Sequence, residues 1–370
     1  MASASAKSPP VHVPLPIEDP EFDSIGMDQE SGKGWIYEGS GALPTVQVRP
    51  EAPSEWWDGD VLRLFPGDSV MQEIPGEFVP GDRLFVGVNA MQEGRGSSDE
   101  ALRVNVRSSD GWSTNPARTI ATGVQWRRGF VEFEFPARWS RPGPCFLRFS
   151  NVGTDSILLD KASIARIVEE EVGFQSLFNG KDLDGWTGNM DGYGVEDGAI
   201  RTFPDRAGGN LYTADQFDDF VFRFAFKVPP GANNGIAVRA PLGGDAAYQG
   251  MEVQVLDNSH PKYAGLKDWQ CHGSIYGIAP ALRGYQSPPG EWNHQEIRVE
   301  GPQVRVVLNG CVILEVDVVD ALKNGALSGR EHPGATRAIG HLGFCGHGDV
   351  VHFKDLRVRS LSRTKTPSGG

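Results

Sequence analysis

Cysteine is scarce in this chain, basic charge is outnumbered, and long apolar or helical runs are missing. The four cysteines, Cys145, Cys271, Cys311 and Cys345, stand far apart and form no CxxC pair. Neither a zinc ribbon nor a disulfide framework has the spacing it needs, and reduced, mostly buried thiols are expected. Lys and Arg number 35 against 48 Asp and Glu, a formal charge of −13. A phosphate-backbone binder wants a basic face, so nucleic acid and anionic membrane are not expected partners. No run of about 18 apolar residues suggests a membrane span. The opening MASASAKSPPVHVPLPIEDPEF lacks the apolar stretch of a secretory signal, so a cytoplasmic location is the expectation.

Glycine and proline are plentiful instead, 47 and 26 in 370 residues. They punctuate short alternating segments, which predicts an all-β protein of more than one domain. Residues 1–56, rich in Pro, Ser and acid, read as an extended arm, partly disordered or packed over a neighbouring domain, in which Trp35-Ile36-Tyr37 and Val46-Gln47-Val48 could add short strands. Residues 57–167 read as strand after strand. Leu84/Val86/Val88, Leu102/Val104/Val106 and Val131/Phe133/Phe135 alternate with other residues, and Pro66-Gly67, Pro75-Gly76 and Pro80-Gly81 supply turns, the pattern of a β-sandwich. Asp68-Ser69-Val70-Met71-Gln72 early and Leu159-Asp160-Lys161-Ala162-Ser163-Ile164 last make this part resemble jelly-roll, galactose-binding-like carbohydrate-binding modules. Trp112 and Trp126 are candidates for sugar stacking or for ordinary burial. Glu169-Glu170-Glu171 marks an acidic linker over 168–172.

A second domain is expected over 173–361, followed by a frayed tail at 362–370. Phe220, Phe222, Phe224 and Phe226 share one strand face opposite Arg223 and Lys227. Asn309-Gly310 between alternating strands signals a type I′ hairpin. A slip of phase at Lys354-Asp355 predicts a bulge in the last strand. Three strands place polar groups over small residues. In Met251–Val255 the apolar Met251, Val253 and Val255 turn one way, and Glu252 and Gln254 the other. In Gly235–Arg239 the polar face carries Gly235, Ala237 and Arg239. In His341–His347 it carries His341, Gly343, Cys345 and His347. Should these strands be neighbours, their polar faces form one groove with a few convergent groups, the usual form of a ligand site. A loop from Asp257 to Tyr276 overhangs it with Asp257, Tyr263, Trp269, His272 and Tyr276. For each of these residues the plain alternative is a surface ion pair, a loop histidine or a solvated sheet face.

The opening Gly173-Phe174-Gln175-Ser176-Leu177-Phe178-Asn179-Gly180-Lys181-Asp182-Leu183-Asp184-Gly185-Trp186 carries a specific resemblance. With Val195-Glu196-Asp197-Gly198, Asn210-Leu211-Tyr212, Asn233-Asn234-Gly235, Glu252-Val253-Gln254, Gly273-Ser274-Ile275-Tyr276-Gly277, Gly290-Glu291-Trp292-Asn293, Leu308-Asn309-Gly310 and Ile339-Gly340-His341-Leu342-Gly343, residues 173–361 resemble the 3-keto-disaccharide hydrolase family. That family is also described as 3-keto-glucoside lyase/hydratase. The resemblance implies a concanavalin-like β-sandwich with a sugar groove on one face.

It also implies a chemistry. A C3 carbonyl acidifies the C2 proton, a base removes that proton, donors hold the enolate, and an acid protonates the leaving oxygen. Water then adds, for net hydrolysis. On this reading Glu252 or His272 is base or acid, and Arg239 with Gln254 holds the ketone oxygen. Tyr276 and His347 orient the ring or the leaving oxygen, Trp269 and Tyr263 stack on the pyranose, and Asp257 and His341 complete the substrate site. Glu252→Gln and His272→Ala are each expected to abolish turnover. No cofactor is expected, the one alternative being a divalent metal held by Glu252, Asp257 and the histidines. Two other functions stay open: a non-catalytic lectin, or an ordinary glycosidase with paired carboxylates, against which Gln254 counts because it is no acid.

Overall fold

The computed structural model describes residues 11–17, 22, 25–26, 34–39, 45–47, 60–94, 100–108, 115–137, 139, 144–168, 172–203 and 209–361. Trp112 and the acidic joint at Glu169–Glu171 lie outside them. Two compact units are present. The first comprises Met1–Glu170 with Gly284–Pro288 and Asn309–Cys311, the second the rest of the chain. Both are all-β, as the alternation implies. No helix among the described residues is long and apolar enough to cross a membrane.

The first unit is a sandwich of two six-stranded sheets. Leu84, Val86 and Val88 from one sheet and Val104, Val106, Leu147 and Phe149 from the other fill a shared core. Part of the expected arm belongs to this sandwich. Val11–Pro14 pairs antiparallel with Ile157–Val168, and Trp35–Glu38 with Ser69–Ile74. Phe22 and Trp35 are fully buried, their rings 4.6 Å apart. The strand at Trp35–Glu38 falls where a short strand was expected, and the two buried aromatics hold it in place: each contributes about 1.5–3 kcal/mol once out of water. Trp126 is half-buried against Val61, Leu158 and Met91.

In the second unit an eight-stranded sheet packs on a five-stranded one. The phenylalanine face of Phe220–Lys227 turns inward, and Phe344 of the smaller sheet stacks on Phe353 of the larger at 4.0 Å. The family-like opening serves this core. Asn179 accepts hydrogen bonds from the Lys181 and Asp182 backbone and so shapes a turn. That turn delivers Trp186 onto Phe344, with its indole N–H bonded to Leu177 O. Asn309 and Gly310 both take positive φ, 48° and 80°, as a type I′ turn requires. The last strand slips register beside Ala225, with Asp355 at φ 56°, which is the expected bulge.

Candidate active site

The five-stranded sheet runs in the order Trp186–Gly188, Gly209–Phe217, Gly340–Gly346, Asn233–Ala240, Met251–Leu256. Its register lays out the groove in rows. Tyr212 pairs with Gly343, Gly343 with Ala237, and Ala237 with Glu252. Beyond Glu252 the row continues into the overhanging loop, where Tyr276 N–H donates to Glu252 O at 2.9 Å. A parallel row runs through Asn210 and Cys345, then Gly235 and Gln254, to Ser274. Four strand spacings of roughly 4.8 Å separate the two tyrosines by about 19 Å. Between them the floor is Gly343, Ala237, Gly235 and Cys345. Small residues in the middle and rings at both edges make a trough.

Glu252 rises from that floor because Gly235 makes room for it. A Cβ on residue 235 would meet Glu252 Oε1 and the rest of the carboxyl group. The Glu252 side chain is only 7% exposed, and among the described residues its Oε1 accepts no hydrogen bond. His347 Nε2 stands 3.6 Å from that oxygen, and Glu252 raises the imidazole's pKa above its usual value. The Cys345 thiol is pushed well above the ordinary thiol range, first by burial and then by Glu252, so it stays protonated and inert. Tyr212 is also raised by burial, and its hydroxyl accepts from Asn210 Nδ2 at 2.7 Å. Gly235→Ala is expected to displace the carboxylate with little effect on melting temperature, since the backbone there suits any residue. Turnover should fall by about 10²-fold, the cost of roughly 1 Å of misplacement, as steady-state kinetics beside a thermal melt would record.

Gln254, Trp269 and Tyr276 join Glu252. The Gln254 amide donates one N–H to Asn233 Oδ1 at 2.6 Å, and the Trp269 ring meets Tyr276 edge-on at 5.2 Å. Tyr263 stands further along the loop, its hydroxyl bonded to Gly231 O and Lys262 Nζ 4.7 Å over its ring. Tyr248 escaped the sequence reading. It sits on a one-turn helix, Ala246–Gln249, under the Arg330 guanidinium at 3.7 Å and against His332. The phrase Ala246-Ala247-Tyr248-Gln249 is too short to show helical period.

Four expectations need correction. Arg239 leaves the groove face because the strand bulges between Ala237 and Ala240 and Arg239 takes φ 49°. Its guanidinium instead bonds Asp219 at 2.7 Å and the carbonyls of Asp218, Gly301 and Arg337. It pins loops and is not disposed to hold a ketone. His272 lies between the sheets, not in the trough, because Gly273 at φ 81° reverses the phase of the loop. It stacks on Phe226, donates from Nε2 to Gln295 Oε1 and accepts the Leu256 N–H at Nδ1. Burial pushes its pKa down to about 3, so it is a neutral core residue near neutrality. Asp257 is spent on structure, accepting from Gly231 N, Ser259 N and Ser259 Oγ. His341 lies near the start of the strand Gly340–Gly346 and His347 just past its end, six residues or about 20 Å away; His341 is held by Thr213 O and Gln216.

His272→Ala is therefore expected to cost stability rather than chemistry. It opens a cavity and strands Gln295, roughly 2–4 kcal/mol together, while the folded fraction keeps its turnover. The histidine also sets a pH trend. Unfolded, it binds a proton near pH 6.5; folded, it does so only near 3, so its contribution is lost as pH falls below 6.5. Melts from pH 7 to 4 should show a steeper decline in the wild type than in the variant. Among the described residues no group of three His, Cys, Asp or Glu side chains could hold an ion.

Comparison with known proteins meets the same half of the chain. Residues 173–359 match the family model of the 3-keto-alpha-glucoside-1,2-lyase-like domain. A 3-keto-disaccharide hydrolase of Bacteroides thetaiotaomicron is 30% identical over 232 residues, 51% of this chain and 79% of that protein. A crystal structure from Parabacteroides distasonis, described as a "putative glycosyl hydrolase", is 26% identical, with a TM-score of 0.46 over 51% of this chain and 95% of that one.

Proposed function

The chain belongs to the 3-keto-alpha-glucoside-1,2-lyase-like family through residues 173–359, and from that premise we propose that it cleaves 3-keto-glycosides by elimination followed by hydration. One observation carries the reading: a buried carboxylate stands over a glycine floor, its Oε1 3.6 Å from the His347 imidazole whose pKa it raises and otherwise without a hydrogen bond among the described residues. Glu252 takes the C2 proton that the C3 carbonyl acidifies. Electrons pass to the ketone oxygen, where the remaining Gln254 N–H and the Tyr276 hydroxyl are the donors at hand. As the enolate re-forms the carbonyl, the C1=C2 bond forms and the C1–O bond breaks. The leaving oxygen takes a proton from His347. Water then places hydroxyl on C1 and a proton on C2, for net hydrolysis. Trp269 and Tyr276 offer the sugar an aromatic wall.

The state of Asp257 weighs against the paired-carboxylate route. That route needs a second free acid about 5–9.5 Å from the first, and this carboxylate already accepts three hydrogen bonds. The test compares nitrophenyl 3-keto-glucoside with plain nitrophenyl glucoside. Release from the keto sugar alone is the expected result. Equal release from both would favour ordinary glycoside hydrolysis, and binding without release would make the trough a lectin site.

A further inference from the structure

The first unit has a polar cleft of its own. Its sheet registers Ser69 with Ser150 and Ser150 with Arg103, then Met71 with Arg148 and Arg148 with Asn105. Above these rows lies a cleft of about 580 Å³, lined by Arg103, Asn105, Asn115, Arg148, Ser150 and the turn at Asn151. This is the size of an ordinary small-molecule site.

Two buried polar groups in it have no protein partner among the described residues. The Asn115 side chain is part of a residue 3% exposed, and neither its Oδ1 nor its Nδ2 makes a hydrogen bond; Ser150 Oγ is likewise unbonded. The Asn115 backbone is fixed by its N–H to Val106 O at 2.8 Å, so the amide is held in place beside the cleft. An amide buried without partners costs about 1–3 kcal/mol, which a ligand with hydroxyl groups would recover. Charge narrows the class. Arg148 is answered by Glu38 at 2.8 Å and bonds Ser69, whereas Arg103 makes no ion pair among the described residues. A guanidinium fork suits a planar carboxylate, and amides with a serine suit hydroxyls.

We propose that the cleft between Arg103, Asn115 and Ser150 binds a saccharide bearing a carboxylate, that is, a sugar acid. The site is independent of the trough around Glu252 and does not rest on the reaction assigned there.

Calorimetric titration of the full chain with digalacturonate, and with neutral galactobiose as its match, tests this. The acidic sugar should bind at least about tenfold more tightly, the worth of one charged hydrogen bond, and lose affinity as salt is added. Arg103→Ala should erase that preference, and Asn115→Ala should weaken both sugars. Thermal melts verify that each variant folds, and Ser150→Ala replaces Asn115→Ala if the latter does not. Absence of binding, equal binding of the two sugars, or unchanged affinity in Arg103→Ala would overturn the proposal.

Discussion

Glu252→Gln is expected to lower turnover of a 3-keto-glucoside by about 10²–10⁴-fold, the usual worth of a positioned proton acceptor, while the protein melts at nearly the same temperature. The amide matches the carboxylate in size, so the floor at Gly235 still accommodates it. It cannot take the C2 proton. The stability side follows from Oε1, which is buried and accepts no hydrogen bond among the described residues. Leaving a buried oxygen unbonded is unfavourable, so its replacement offsets the loss of the His347 contact. The lost partner is His347, 44% exposed and able to turn to solvent. Single-turnover kinetics with a thermal melt reads both effects. A large fall in melting temperature would mean that Glu252 holds the sheet together instead of acting on a ligand.

His347→Gln carries the second large effect, again about 10²–10⁴-fold in turnover, with a change in the shape of the pH profile. In the wild type the folded imidazole has a raised pKa, chiefly through Glu252. It is therefore protonated, and able to donate to the leaving oxygen, up to a higher pH than a free histidine. Turnover should decline on the alkaline side as pH passes through that raised value, and the decline should vanish in the variant. Stability moves in the same direction. The ion pair's contribution is present below the unfolded pKa of 6.5 and is lost as pH rises through the folded one. An unchanged alkaline limb in His347→Gln would assign the proton donor elsewhere.

Much of the trough was legible because strand alternation is a local property. Glu252 with Gln254, Gly235 with Ala237, and Gly343 with Cys345 each follow from a period of two, and the register then sets them in rows. The misreadings occur where one residue breaks that period. Nothing in Ile236-Ala237-Val238-Arg239 announces a non-glycine residue at φ 49°, yet this bulge turns Arg239 away from the ligand face. The left-handed Gly273 does the same to His272, and only the cavity between Phe226 and Gln295 shows why a histidine suits that place. In the arm the short strands at Trp35–Glu38 and Thr45–Gln47 were legible, but not what buries the segment. Two aromatic residues, Phe22 and Trp35, decide its fate by packing on Phe149, a partner more than a hundred residues away.

The proposed reaction turns on a proton leaving C2 before the glycosidic bond breaks. The most direct measurement is the single-turnover rate of aglycone release from a 3-keto-glucoside carrying deuterium at C2, beside its unlabelled twin. Slower release from the labelled sugar in the wild type is the predicted result. Equal rates together with full retention of the C2 deuterium in the released sugar would contradict it.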